Sequence, residues 1–532
     1  PRRAGRTSCG TDRRAPSRAP PLAPPRAPPS PKPRAAPGPG CRPRSGAPIR
    51  APIRALTAAL ALPALAQAPD RPAPAQAPDR TLLQAGDGLT LRWHLQAGIN
   101  AVGERALFWN FGETVAGRPD YAADTAWLEL YVKPGLSFEQ ALPGGGTAYG
   151  KVSAVASHTS GTDAYDTGDT GRITLEEAYP GLRGGAPAGL SFDVSLGRRE
   201  LKLGTGMLVS NGGSSGFERG ALKFGPRKAW ERAAIARLSG GGVTGGVTGT
   251  AFYLDPNERP ASDGGNALAG IDLRHDAPRG GYLGATWVTV TDSDSAYPQA
   301  APGGSGAPTV IPGAREDTRT LNIYGRTTPF SGALETTFLA ADLALQRNDR
   351  IDLEAWAGRV QLGRAFPGLP WAPVLTYSYQ TFSGDDPDTA TLERFDPLYY
   401  QGAPSAWATG SKSSMVFINS NVQSHGLSLR MQPTERDTVT VRYAHIRANE
   451  LNAPVQFGQA TRVDVSGDDD RANVITGVTD AHLADDVFVE YNRVINRNTF
   501  LTAGFSVSFP GAGITSTVAG DTPTWTGVVV NF

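Results

Sequence analysis

Apolar and polar residues alternate along most of this chain, and this alternation limits the fold more than any other feature. It recurs from residue 88 onwards: in Leu89–Leu95 every odd position is apolar, and Thr438–Tyr443 repeats the pattern. Successive side chains of a β-strand point to opposite faces, so a period of two predicts strands with one apolar face. Eighteen such segments occur, near residues 89–99, 125–140, 146–157, 172–182, 190–203, 230–239, 247–254, 267–275, 281–291, 319–328, 333–343, 353–363, 371–382, 415–432, 437–448, 485–493, 499–508 and 523–532. The sequence therefore predicts an all-β fold of about eighteen antiparallel strands.

The connections between these segments are sorted by length. Even-numbered connections are short, as at 143–146, 278–280, 329–332, 433–436 and 496–498. Odd-numbered connections are mostly long and polar, as at 100–124, 158–171, 204–229, 292–318, 383–414 and 449–484. Short turns at one end and long loops at the other are typical of transmembrane β-barrels, whereas a soluble β-sandwich gives no reason for such sorting. We therefore expect a transmembrane antiparallel β-barrel over residues 89–532, with both termini in the periplasm.

A membrane-spanning helix is not predicted. Beyond the N-terminal region, no apolar stretch reaches the eighteen or so residues that a spanning helix needs. A closed barrel is the other structure that satisfies every backbone polar group inside a bilayer. The composition agrees, because 64 Gly and only 3 Met are typical of a chain with many turns and few helices.

The N-terminal segments do not match the strand pattern. Residues 1–50 are rich in Pro, Arg and Ala, without apolar periodicity, and are predicted to be disordered. The first methionine is Met207, so an upstream frame translated past the true start is the favoured explanation, and a functional Pro-rich arm is the alternative. Residues 51–68 resemble a secretory signal peptide, with an apolar run at Ala55–Leu65 and small-residue cleavage sites ending at Ala66 and Ala68. Residues 69–88 are expected to be a flexible periplasmic leader.

Removal of residues 1–68 changes the charge of the chain. That segment holds both cysteines, Cys9 and Cys41, and 13 of the 51 basic residues, but only Asp12 among the 50 acidic ones. The remaining 38 basic and 49 acidic residues give a net charge of about −11. A cysteine-free acidic chain suits the periplasm and the bacterial outer membrane, and nucleic acid is not expected as a partner.

The last predicted strand ends in an aromatic residue. Val528, Val530 and Phe532 share one face of this strand. The pattern resembles the C-terminal signal by which the barrel assembly machinery of the outer membrane recognises its substrates. We therefore expect this machinery and outer-membrane lipid among the partners.

Three further segments resemble the alginate-export family of outer-membrane proteins. They are Ile173–Tyr179, Leu196–Leu201 leading into Gly204, and Phe395–Tyr400. The stretches His425–Leu429 and Phe505–Gly511 add to the resemblance, which covers about residues 85–532. It implies an eighteen-stranded barrel that exports an anionic, alginate-like polysaccharide through a cationic constriction, with periplasmic export components as further partners.

The residues that would line such a pore follow from the resemblance, from alternation and from one long loop. Arg198 falls on the Gly-Arg position of the family, with Arg199 and Lys202 beside it, and the parity change between Gly197 and Glu200 predicts a bulge that turns either arginine inward. The loop between strands five and six is predicted to fold inward as a constriction. Its cations are Arg219, Lys223, Arg227 and Lys228. Other inward candidates are Arg92, Arg326, Arg359, Arg430 and Arg442, with Glu176 and Glu490 as their acidic partners.

Two other functions compete with polysaccharide export. One is a general or substrate-specific porin for small solutes, and the other is an outer-membrane barrel enzyme. The enzyme is disfavoured because no nucleophile motif or phosphate loop occurs. The six histidines, at 94, 158, 275, 425, 445 and 482, show no metal-ligand spacing, so neither a metal nor another cofactor is predicted.

Overall fold

A computed structural model describes residues 81–107, 124–456, 474–475, 478–515 and 524–531, apart from short gaps at 165–166, 187–188, 243–244, 261–262, 279, 305–308, 403–406, 411–413 and 415. The predicted disordered segment 1–50, the predicted signal peptide 51–68, residues 69–80 of the predicted leader and Phe532 lie outside the described residues. No helix in the described part of the chain is long and apolar enough to cross a membrane.

The described residues form one closed antiparallel β-barrel. Its sheet has nineteen strands, of which one is a short N-terminal strand, Leu82–Gly86, and eighteen form the wall. The wall strands β1 to β18 are, in order, Leu89–Arg105, Thr125–Ala141, Thr147–Thr162, Gly168–Gly185, Leu190–Arg199, Trp230–Gly242, Gly245–Asp255, Ala267–Asp276, Tyr282–Asp292, Arg319–Thr327, Thr337–Asn348, Leu353–Ala365, Val374–Phe382, Val422–Thr434, Asp437–Ala448, His482–Asn496, Thr499–Pro510 and Thr524–Asn531. Each wall strand pairs with its sequence neighbours, and β18 closes the barrel by pairing with β1. The predicted fold class and number of strands are confirmed.

Part of the predicted flexible leader is ordered instead. Leu82–Gly86 pairs with the start of β1, with Gly86 opposite Leu89 and Leu82 opposite Arg92. The hairpin turns at Asp87 and Gly88, whose φ angles of 50° and 77° suit an Asp-Gly turn. Residues 82–86 of the segment expected to be flexible therefore form a strand, because the Asp-Gly turn allows them to pair with β1.

The outer face of the barrel is apolar. Large apolar side chains at alternate positions remain exposed, for example Ile173 (77% exposed), Leu196 (63%) and Leu283 (62%). Inward positions on the same wall carry polar groups such as Glu129 and Asp342, which are buried. Apolar exposure on this scale is unusual for a soluble surface and matches the lipid-facing belt of a transmembrane barrel.

The two ends of the barrel differ as predicted. We call the end that carries residues 142–146, 277–281 and 435–436 the short-turn end, and the opposite end the long-loop end. Two loops differ from prediction. The connection predicted at residues 158–171 is shorter in the structure, at 163–167, because β3 and β4 extend beyond the alternating segments predicted for them. The connection between β11 and β12 is also short, because only residues 349–352 separate these strands.

The core lies inside the barrel, towards the long-loop end. Loops 200–229, 293–318 and 383–421 pack there, and their largest fully buried side chains include Tyr400, Trp407, Phe395 and Phe417. Barrels of sixteen to eighteen strands can enclose an aqueous channel, so here the loops occupy part of that space.

Candidate functional site: the interior loop and its cations

Residues 200–229, the interior loop, leave the wall where β5 ends. The pairing of β5 with β6 shifts register between Gly197 and Arg199, and Gly197 has a φ of 118°, which favours glycine. The predicted bulge is therefore present, but the strand ends at Arg199 rather than at residue 203. Leu201 and Leu203 belong to the strand predicted over residues 190–203 and would face outward at its end, but they are buried in the interior core instead. The bulge directs the chain into the barrel and so creates the interior loop.

A buried carboxylate on β2 holds the middle of the interior loop. Glu129 is fully buried and accepts hydrogen bonds from the backbone N–H groups of Lys223 and Phe224, each at 2.9 Å. The indole of Trp127 (2.9 Å) and the amide of Asn100 (3.3 Å) donate to the same carboxylate. Hydrogen bonds to an ionised acceptor are about twice as strong as neutral ones, so Glu129 is a strong anchor for the loop.

A second buried carboxylate, on β4, holds the end of the loop. Glu176 Oε1 accepts hydrogen bonds from the backbone N–H groups of Lys228 (2.8 Å) and Ala229 (3.1 Å). Its ion-pair partner is Lys133 of β2 at 3.3 Å, and Lys133 also contacts Glu200 at 2.9 Å. The expected pairing of Glu176 with a pore arginine is therefore wrong.

The interior loop also reaches the opposite wall. Thr205 donates a hydrogen bond to Asp342 on β11, and Lys223 forms an ion pair with Glu104 on β1 at 3.1 Å. Contacts with β1, β2, β4 and β11 require a loop that crosses the interior. The interior loop therefore folds into the barrel, as the sequence predicts.

Loop 383–421 is bonded to the interior loop through backbone groups. Tyr399 N–H donates to Leu208 O at 2.9 Å, and Gln401 N–H donates to Gly206 O at 2.8 Å. The indole of Trp407 donates to Thr205 O at 3.0 Å. The segment Phe395–Tyr400, which carried part of the family resemblance, therefore serves to join two loops inside the barrel.

Three predicted cations lie close together beside this junction, and we call Lys202, Lys228 and Arg359 the cationic cluster. Lys202 and Lys228 are exposed in the interior, and Lys202 donates to Gln401 at 2.5 Å. Among the described residues, neither lysine has a carboxylate within ion-pair distance. The surrounding loops partly desolvate Lys202, although its side chain reaches the open interior, and this lowers its pKa, as does repulsion from Lys228 and Arg359. A lowered lysine pKa is expected where a lysine is partly desolvated and faces other positive charges.

Arg359 differs from the two lysines because the wall constrains it. Its guanidinium lies 3.5 Å from Asp342 and 3.5 Å from the centre of the Trp407 ring. The side chain is buried. Arg359 therefore contributes charge to the cluster while it also holds Trp407 in place.

The other predicted cations of the interior loop have structural contacts. Arg219 donates to Asn257 O (2.9 Å) and to Glu258 O, and burial lowers its pKa. Arg227 is fully buried and donates to Thr174, Ser157 and Arg172 O, all within 2.9 Å. Burial, together with repulsion from Arg219, lowers the pKa of Arg227 to about 10. These two arginines fix the loop to the wall and to its neighbours.

Arg198 and Arg199 face different partners. Arg198 forms an ion pair with Glu231. Arg199 lies on the inner face, 3.5 Å from Asp193 and 2.8 Å from the hydroxyl of Tyr149, with its guanidinium 4.8 Å from the centre of the Tyr179 ring. Neither arginine pairs with Glu176 or Glu490, the acids expected to partner the pore arginines, although both arginines are paired.

The remaining candidates are spread over the inner wall. Arg326, exposed near the short-turn end, stacks over Phe338 at 4.1 Å, and Arg442 lies 5.9 Å from the Phe488 ring. Arg430 is exposed near the same end, and Glu490 accepts a hydrogen bond from Asn492 at 2.9 Å. None of these four belongs to the cationic cluster.

Sequence reasoning missed several residues that define the site. Glu129, Lys133 and Asp342 are inward by alternation, but nothing local marks them as contacts of a distant loop. It also missed a group of potential metal ligands at the long-loop end, His445, His482 and Asp485, whose ligand atoms lie within 4.8 Å of one another. The sequence spacing of the histidines does not reveal this group, because neighbouring strands bring together residues that are distant in sequence.

Comparisons with known proteins yield structural similarity alone. No protein-family model and no curated protein matches the chain. Among solved structures, OccAB1 of Acinetobacter baumannii is 11% identical, with a TM-score of 0.45 over 83% of this chain and 96% of that one. The outer membrane protein OpdK of Pseudomonas aeruginosa is 11% identical, with a TM-score of 0.46 over 83% and 98%. OccK2 (OpdF) of Pseudomonas aeruginosa, in complex with glucuronate, is 11% identical, with a TM-score of 0.42 over 82% and 95%. The barrel assignment rests on the closed sheet itself, and the resemblance to the alginate-export family stays a prediction.

Proposed function

We propose that this chain is a bacterial outer-membrane channel for small anionic solutes, narrowed by the interior loop. The apolar outer face would contact outer-membrane lipid, with the short-turn end in the periplasm and the long-loop end outside. The barrel assembly machinery would insert it.

The observation that carries this proposal is the exposure of Lys202 and Lys228 inside the barrel without a carboxylate partner among the described residues. The other cations of the interior loop are held by an acid or by backbone carbonyls, so these two lysines supply the positive field that a passing solute meets. A narrow opening between low-dielectric walls focuses that field and concentrates anions. The preference should weaken as salt rises, since the Debye length is about 8 Å at physiological ionic strength.

The same packing favours a small solute over the alginate-like polysaccharide implied by the resemblance. A polymer needs a continuous wide passage, whereas loops 200–229 and 383–421 are hydrogen-bonded to each other inside the barrel. The interior loop is also hydrogen-bonded to opposite sides of the barrel wall. Export of an anionic polysaccharide is therefore the alternative, and it requires the interior loop to move aside.

Reversal potentials in planar bilayers test the proposal. Wild-type channels should prefer chloride and small uronates over potassium, and the double variant Lys202→Gln/Lys228→Gln should lose most of this preference. A matched control, Arg436→Gln/Arg497→Gln, removes the same charge from two short turns and should keep the preference. A cation-selective wild type, or a double variant that behaves like the wild type, would refute the proposal. Passage of long oligouronates through the wild type would support the polysaccharide alternative.

A further inference from the structure

Two histidines and an aspartate meet on the outer face near the long-loop end. His445 Nδ1 lies 2.9 Å from Asp485 Oδ1, and His482 Nε2 lies 2.8 Å from Asp485 Oδ2. The two imidazole rings stack with their centres 4.8 Å apart. Side-chain exposures of 32% for each histidine and 29% for the aspartate leave the group open to solvent.

The sheet fixes this arrangement. His445 on β15 and Asp485 on β16 are direct cross-strand partners. His482 is three residues before Asp485, so strict alternation would place it on the inner face. The register shift between the pairs Ile446–Ala484 and Arg447–His482 leaves Leu483 unpaired, and this bulge returns His482 to the outer face. Three potential ligands thus converge because of a local irregularity, which is common beside functional sites.

A further contact orients the carboxylate. The Tyr443 hydroxyl donates to Asp485 Oδ1 at 2.6 Å. A ligating carboxylate commonly has such a hydrogen-bond partner, which fixes its orientation. Tyr443 is itself largely exposed on the outer face, so its hydroxyl gains little from burial and serves mainly this contact.

We infer that His445, His482 and Asp485 form a binding site for one divalent transition-metal ion such as Zn²⁺. Two imidazoles and a carboxylate suit zinc, nickel and copper, whereas calcium and magnesium prefer oxygen ligands alone. Zinc bonds of about 2.0–2.1 Å require ligand atoms about 3.4 Å apart in a tetrahedron, so small side-chain rotations suffice. The three residues leave the fourth position to water or to an external ligand.

The bound ion would join the two ends of a long loop. His445 lies three residues before the end of β15, and His482 begins β16, so residues 449–481 connect the two histidine-bearing segments. Metal binding would therefore stabilise the wall at the base of this loop.

Isothermal titration calorimetry with Zn²⁺ tests the site on the detergent-purified full chain. The protein carries no polyhistidine tag, and Cys9 and Cys41 are alkylated so that thiolates do not compete. Wild type should bind one zinc ion per chain with a higher thermal midpoint, and calcium should do neither. His445→Gln, His482→Gln and Asp485→Asn should each abolish saturable binding, and Tyr443→Phe should weaken it about tenfold. His94→Gln and His425→Gln are the matched controls and should bind as the wild type does.

Two outcomes would overturn the inference. One is a wild type that binds no zinc at neutral pH, where imidazole is available as a ligand. The other is zinc binding that survives both His445→Gln and His482→Gln in folded barrels, because the zinc would then lie elsewhere. Since these residues are partly exposed on the outer face, folding of the variants is checked by far-ultraviolet circular dichroism.

Discussion

Glu129 is the anchor whose removal should open the channel. Its Oε1 accepts the N–H of Lys223 and the indole N–H of Trp127, while its Oε2 accepts the N–H of Phe224 and the amide of Asn100. Substitution by alanine removes both loop hydrogen bonds. A hydrogen bond to a charged group contributes about 1.5–3 kcal/mol, so the docked loop should lose about 3–6 kcal/mol relative to a released loop.

Glu129→Gln should have a smaller effect that follows from the same geometry. The glutamine oxygen can replace Oε1, but its NH₂ group then faces two donors at the position of Oε2. Asn100 can rotate its amide, because its Oδ1 has no hydrogen-bond partner at present. The N–H of Phe224 cannot adapt in this way, so the loss should be about 1.5–3 kcal/mol, which is roughly tenfold to a hundredfold in the docking equilibrium.

Single-channel recordings in planar bilayers measure this effect. We expect conductance, and the largest neutral polymer that enters, to increase in the order wild type, Glu129→Gln, Glu129→Ala. The control is Glu139→Ala, which removes a carboxylate from the same inner face of β2 but breaks only the pair with Arg183 at 2.9 Å. If folded Glu129→Ala channels conduct and exclude polymers as the wild type does, the interior loop is not a constriction anchored by Glu129.

Three further predictions concern charge, stability and assembly. Partial burial and neighbouring cations lower the pKa of Lys202, so this side chain loses its charge at a lower pH than an ordinary lysine, whose pKa is about 10. Anion preference should therefore fall as the pH rises towards that value. Lys202→Arg should keep the preference in the same reversal-potential titration, and an equal decline in both proteins would contradict the assignment. Arg199→Ser should destabilise the barrel by about 2–4 kcal/mol, seen as a lower unfolding temperature in heat-dependent gel mobility, because the partners of Arg199 are Asp193 and two tyrosines. Selectivity should be retained, and a selectivity change as large as that of Lys202→Gln/Lys228→Gln would argue for a direct role. Deletion of Phe532 should slow insertion and leave protein in the periplasm, whereas unchanged assembly in a pulse-chase experiment would remove this residue from the assembly signal.

The eighteen wall strands could be predicted because their signal is local. Each strand lies between apolar lipid and a polar interior, so each must alternate with a period of two, whatever the other strands do. The outward side chains Phe192, Val194 and Leu196 follow from this rule. Alternation also indicated Arg359, whereas Lys202 came from the family resemblance and Lys228 from the charge of one long loop. None of these signals could show that the three cations meet.

The interior was decided by contacts between residues that are far apart in sequence. Glu129 binds Phe224, 95 residues away, and His482 joins His445 only because a bulge at Leu483 reverses the local alternation. Leu201 and Leu203 continue an apolar pattern, yet they are buried because the bulge after Gly197 turns the chain into the barrel. The ion-pair partners of the charged residues could not be predicted for the same reason. The sequence specifies the charge of a side chain, whereas the partner of that side chain depends on which distant strand or loop the closed barrel places beside it.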